Sequence, residues 1–189
     1  MQFNQSIGVY IMTTYNLNIA NISFNSSLDS RDIQKEIDNI QGLENNYESD
    51  LESLNDKLND LQNELYDIEN EDDYADKQND IDNKLEEIAE KESEIQECEF
   101  EYNRYSEELA ELEALKEEIE SNSDEGFEYG IQLIREDDIE DYFHELLIDC
   151  GYIPKDIPLW IKIDWQATYD NMKEDYHEIE LNGNTFYVR

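Results

Sequence analysis

From residue 33 onward the apolar positions step by three and four. Ile33, Ile37 and Ile40 are followed by Tyr47, Leu51, Leu54, Leu58, Leu61, Leu65 and Ile68, with Glu44 as the single gap. That spacing keeps one apolar stripe along a helix and is the heptad signature of a coiled coil. Asn70, Glu71, Asp72 and Asp73 interrupt it. A second series runs through Tyr74, Ile81, Leu85, Ile88, Ile95, Cys98, Tyr102, Tyr105, Leu109, Leu112 and Ile119. Across Glu92, Ile95 and Cys98 the steps are three and three, which reads as a stammer-type phase slip. Two long striped helices with a short polar break predict an antiparallel helical hairpin. A single helix of about 90 residues, pairing between two chains, would carry the same stripe.

The flanks have a different rhythm. Val9, Tyr10 and Ile11, then Ile19, Ile22 and Phe24, are β-branched or aromatic residues among Asn, Ser and Thr, and predict strands. Ser27 or Asp29 is placed to cap a helix beginning near Ser30–Ile33. Ser121 to Gly126 ends the helical region, and the alternation of Phe127, Tyr129, Ile131 and Leu133 predicts a strand. Asp137 to Asp149 reads as a helix with Ile139, Tyr142, Phe143, Leu146 and Leu147 on one face and Gly151 as its stop. A short helix is expected over 156–172, with Trp160 and Trp165 as core anchors. Asn182-Gly183, between Leu181 and Thr185–Val188, is a two-residue hairpin turn.

Charge changes the picture most. The 189 residues hold 51 acids and 13 bases, a formal net charge of −38. Residues 1–30 carry net −1, residues 31–125 net −27 and residues 126–189 net −10. The neutral first segment argues against a chain-wide adaptation such as halophily. A chain this acidic repels nucleic-acid phosphates and anionic membranes, so its expected partner is a basic surface. Disorder is opposed by 38% hydrophobic and 11% aromatic content. No apolar run approaches the length of a membrane span, and no signal-peptide pattern opens the chain. Cys98 and Cys150 fit a reducing cytoplasm, with Cys98 a small core residue on the stripe.

Little else suggests chemistry. His144 and His177 lack ligand-spaced companions and read as surface or core-edge histidines. Asp72, Asp73, Asp76 and Asp80 lack the glycine and spacing of a calcium loop. No nucleophile, phosphate loop or pocket motif accompanies the carboxylates. No enzyme activity, metal or cofactor is expected.

The C-terminal third resembles the ArdA antirestriction family. The resemblance rests on Tyr142-Phe143, Gly151-Tyr152-Ile153-Pro154, Ile163-Asp164-Trp165-Gln166-Ala167-Thr168, Asp170-Asn171-Met172, Asp175-Tyr176 and Asn182 to Arg189. Near the N-terminus Val9-Tyr10-Ile11, Thr14-Tyr15-Asn16, Ile22-Ser23-Phe24 and Leu28-Asp29 are similar to the same family. The middle departs from it: related proteins have a compact acidic domain where this chain has the long helical arm. The resemblance implies a DNA mimic, usually a dimer, that occupies the DNA channel of a defence enzyme without catalysis. Type I restriction–modification enzymes are the family's usual targets.

The charge pattern leads to mimicry independently. A hairpin with helices of about 40–46 residues is about 60–69 Å long. Net −27 on that length is about one charge per 2.2–2.6 Å, against about 1.7 Å of axis for duplex DNA.

The expected architecture is therefore α+β. Segment 1–30 is β-rich, segment 31–125 is an inserted acidic antiparallel coiled-coil arm, and segment 126–189 is an ArdA-like α+β domain that can pack with 1–30. The expected function is stoichiometric inhibition of a DNA-targeting defence enzyme of the bacterial host, in its cytoplasm: type I restriction–modification or a CRISPR effector. The source would be a phage or mobile element. The acids expected on the arm's exterior are Glu48, Asp56, Glu64, Asp67, Asp80, Glu87, Glu94, Glu101, Glu108 and Glu118. No direct contact with nucleic acid is expected. The alternative is an acidic structural coiled coil, an adaptor or oligomerisation protein.

Overall fold

The computed structural model describes residues 14–15, 17, 22–24, 26–69, 77–124 and 126–189. Val9–Ile11, Ile19 and the polar break at 70–73 lie outside these residues. The elements are β1 (Thr14–Tyr15), β2 (Leu28–Asp29), α1 (Ser30–Glu69), α2 (Gln78–Ser121), β3 (Gln132–Arg135), α3 (Ile139–Asp149), α4 (Trp165–Lys173), β4 (His177–Leu181) and β5 (Asn184–Val188). The fold is α+β, mostly helical, with two long helices and a small sheet. The described residues form two compact units. One draws on Met1–Glu36 and Glu111–Arg189, the other is Ile37–Ala110. The division falls inside both long helices, rather than at residues 31 and 125.

The first unit is built on a sheet of order β1-β4-β5-β3-β2. β4, β5, β3 and β2 pair antiparallel, and β1 runs parallel to β4. The β4–β5 turn is Asn182-Gly183, with φ of 49° and 72°, the left-handed pair such a hairpin requires. Asn182 also holds β1: its backbone N–H donates to the Tyr15 carbonyl at 2.9 Å and its side-chain amide to the Leu17 carbonyl at 2.8 Å.

Behind the sheet, Ile134, Ile139, Phe143, Tyr169 and Tyr187 form a buried cluster flanked by Tyr142, Trp165, Met172 and Tyr176. The α3 stripe produces this packing. The helix then stops in a Schellman turn: Tyr152 N–H donates to the Leu147 carbonyl and Gly151 N–H to the Ile148 carbonyl, with Gly151 at φ 73°.

Three expectations for these flanks are corrected. Ile22, Ser23 and Phe24 are not in a strand; the strands are β1 and β2. Phe127–Tyr129 is a 3-10 turn, and the strand after it begins at Gln132. The helix expected over 156–172 starts only at Trp165, where Asp164 caps it by accepting the Ala167 N–H at 3.1 Å. Pro154 and Pro158 lie in the preceding stretch, where proline's missing N–H and fixed φ oppose a helix.

Helix α1 begins where two interactions converge. Asp29 caps it by accepting the Arg31 N–H at 2.9 Å. Ser30 is fully buried; its hydroxyl donates to the Phe127 carbonyl at 2.6 Å and accepts the Ile131 N–H at 2.8 Å. Ser27, the other candidate cap, instead donates to Asp138.

Within Ile37–Ala110 the two helices lie side by side and antiparallel. Tyr47 stacks on Tyr105 with centroids 5.5 Å apart, Cys98 Sγ lies 3.7 Å from the Tyr47 carbonyl, and Lys84 reaches Glu64 at 2.9 Å. The expected phase slip is absent from the packing. Lys84 and Lys91 occupy the inward positions between Ile81, Ile88, Ile95 and Cys98, with side chains only 17% and 20% exposed. Their methylene stems cover apolar surface while the ammonium groups reach carboxylates. The three–four step is therefore unbroken, and Leu85, expected on the stripe, is turned outward.

Candidate interaction surface

Residues 37–69 and 77–110 carry 22 acids and 5 bases, a net charge of −17. All of these acids are exposed except Glu44, Glu101 and Glu108, which are half-buried. The cause is the helical period: the three–four stripe consumes the inward positions, and acids fill the remaining faces. Two of the lysines that could offset them, Lys84 and Lys91, point partly inward. Lys84 pairs with Glu64 and Glu87, at 2.9 and 2.7 Å, and Lys91 pairs with Glu94.

Seven of the ten expected acids are exposed: Glu48, Asp56, Glu64, Asp67, Asp80, Glu87 and Glu94. The other three are half-buried. Glu101 is half-buried and bonds Arg104 at 2.6 Å, whose guanidinium sits 4.4 Å from the centre of the Tyr105 ring. Glu108 is half-buried on α2. Glu118, its side chain 15% exposed, is a structural acid of the first unit. It accepts the Tyr15 hydroxyl at 2.6 Å and lies 2.9 Å from His177 Nε2, tying the end of α2 to β1 and β4. Burial, with the Glu118 bond next in importance, pushes the Tyr15 phenol above its ordinary range. No sequence spacing links residues 15, 118 and 177, so this group was invisible before folding.

The two histidines differ in surroundings. His144 Nδ1 lies 3.3 Å from the Tyr169 hydroxyl, and its ring packs edge-on against Trp165. Trp165 belongs to the core, stacked on Tyr169. Trp160 does not: it is 81% exposed, beside Leu159 at 95%. The expected anchor role for Trp160 is therefore wrong, because the helix that would have turned it inward does not form there.

Cys98 is buried, and desolvation raises its thiol above the usual range; Cys150 is exposed. Among the described residues no group of three or more His, Cys, Asp or Glu is arranged to hold a metal ion. No helix of the described residues is long and apolar enough to cross a membrane.

The chain matches no protein-family model, no curated protein and no solved structure.

Proposed function

We propose that this chain is a DNA-mimic inhibitor related to the ArdA family. It binds stoichiometrically, without catalysis, in the basic DNA channel of a bacterial defence enzyme, a type I restriction–modification enzyme before a CRISPR effector. On this reading the helix pair of α1 and α2 is an antiparallel coiled-coil hairpin closed within one chain. The protein acts in the host cytoplasm.

The observation that carries the reading is the density of exposed carboxylate on Ile37–Ala110. Each helix contributes about 33 residues there, about 50 Å of axis at 1.5 Å per residue. Net −17 over that length is about one charge per 3 Å, within a factor of two of the spacing of about 1.7 Å in duplex DNA. Two packed helices are also about 20 Å across. A basic channel that binds this surface releases its counter-anions and lowers its electrostatic energy much as it does on DNA. Ordinary coiled coils balance Lys against Glu on their flanks, whereas here 5 bases stand against 22 acids.

The test neutralises six exposed acids together: Glu48→Gln, Glu52→Gln, Asp56→Asn, Asp60→Asn, Asp67→Asn and Glu90→Gln. Inhibition of a type I restriction enzyme, titrated at several salt concentrations with duplex DNA as competitor, should weaken steeply. The slope of log affinity against log salt should flatten. Unchanged inhibition by the folded variant would leave the arm as an acidic structural coiled coil, an adaptor or spacer.

A further inference from the structure

Helix α2 presents an aromatic ring that the helix pair does not use. Phe100 is 69% exposed, although its neighbours in the seam, Cys98 and Tyr102, are turned inward. At about 100° per residue it stands about 160° around the helix from both. Ser93, Gln96, Glu97 and Glu101 surround it on the same open face of α2. Glu97 and Glu101 also border a hollow of about 430 Å³ beside Tyr47 and Lys57. The two carboxylates, one turn apart, thus form a ridge with an aromatic wall on each side.

The geometry points to a subsite on this ridge for an arginine side chain of the basic partner, its guanidinium on Glu97 and its plane against the Phe100 ring. This rests on the acidic surface being the partner-binding surface. Arginine fits better than lysine for two reasons. A planar guanidinium both stacks on a ring and forks onto a carboxylate, whereas an ammonium is a point charge that keeps its hydration. The chain already builds this arrangement once for itself: Arg104 pairs with Glu101 and lies over the Tyr105 ring. That pair engages Glu101 and leaves Glu97, which makes no ion pair among the described residues, to the partner. An exposed phenyl ring adds nothing to a surface that works by charge alone, so the subsite gives the mimic a preference that DNA lacks.

The test uses the full chain with hexa-arginine and hexa-lysine peptides as probes, in calorimetry at fixed salt. The native protein should prefer hexa-arginine. Phe100→Leu should lower hexa-arginine affinity about two- to fivefold and leave hexa-lysine affinity unchanged, the range expected for losing an exposed cation–ring contact. Phe100→Tyr should restore the preference, and Glu97→Gln should weaken both peptides. Equal affinities of the native protein for the two peptides, or equal losses for both in Phe100→Leu, would overturn the subsite. Because Phe100 is exposed, the variants should retain the native circular-dichroism spectrum. If the subsite fails while the six-fold neutralised chain still loses inhibition, charge mimicry stands alone. If that chain inhibits normally, the surface reading itself has failed.

Discussion

Single residues with no sequence signature hold the two ends of the chain together. Ser30 is the clearest, a buried hydroxyl that satisfies one carbonyl and one N–H of the 127–131 turn at once. Ser30→Ala leaves the Ile131 N–H buried and unpaired and the Phe127 carbonyl with only the long Gly130 N–H bond at 3.4 Å, so thermal or urea unfolding should show a loss of about 1–3 kcal/mol. Glu118 is the second. Glu118→Ala removes the acceptor shared by Tyr15 and His177 and should destabilise by a similar amount. Its inhibition per folded molecule should not change, because the side chain faces inward; a specific loss of inhibition with unchanged stability would return Glu118 to the binding surface. The phenols of Tyr15, Tyr176 and Tyr187 give a pH dependence. Burial is the largest cause in each case, and all three are raised above the ordinary value of 10.0. A raised pKa favours the neutral, folded form, so their contribution is complete below about pH 10, where the unfolded phenols begin to ionise. It is lost as pH rises from there through the folded-state values. Absorbance at 295 nm should therefore show these three phenols ionising together with alkaline unfolding.

At the scale of elements, period decided what could be read. The α1 and α2 stripes are long and regular, and their helices follow them closely. There is no slip near residue 95 because Lys91, rather than the exposed Glu92, stands at the inward position. Lys84 and Lys91 fill inward positions with their stems, a use of lysine that hydropathy does not register. Short elements were less legible. β1 and β2 are two residues each and exist because β4 and β3 offer paired edges, which no local alternation announces. The antiparallel pairing of α1 with α2 is testable directly. Spin labels at Ser53 and Ser93, placed one per helix, should report a short distance in samples diluted with unlabelled protein. A short distance that disappears on dilution would assign the pairing to two chains.

At the scale of the whole molecule, electrostatics works against stability and, on the proposed reading, in favour of recognition. Like charges along both helices repel, and the few bases relieve this only locally. The six-fold neutralised chain should accordingly melt higher than the native protein while inhibiting less, with both trends shrinking as salt is added. A melting temperature that falls on neutralisation would mean that those acids make structural bonds. Single neutralisations on the exposed faces should each change stability by about 1 kcal/mol or less, since solvent screens each pair.

Charge distribution, helical period and turn chemistry are local properties, and they alone determined the two long acidic helices, the Asn182-Gly183 hairpin and the stop at Gly151. Each depends on a few neighbouring residues and on water, so a linear string contains the needed physics. Tertiary structure decided the rest. It set the strand order that brings residues 14–15 beside 180–181, the Ser30 and Glu118 contacts that span about a hundred residues of chain, and which of the carboxylates face solvent. It also decided that Trp165 is packed and Trp160 is not. These outcomes turn on which distant groups fill the space beside a side chain, and that is fixed only when the chain has closed on itself.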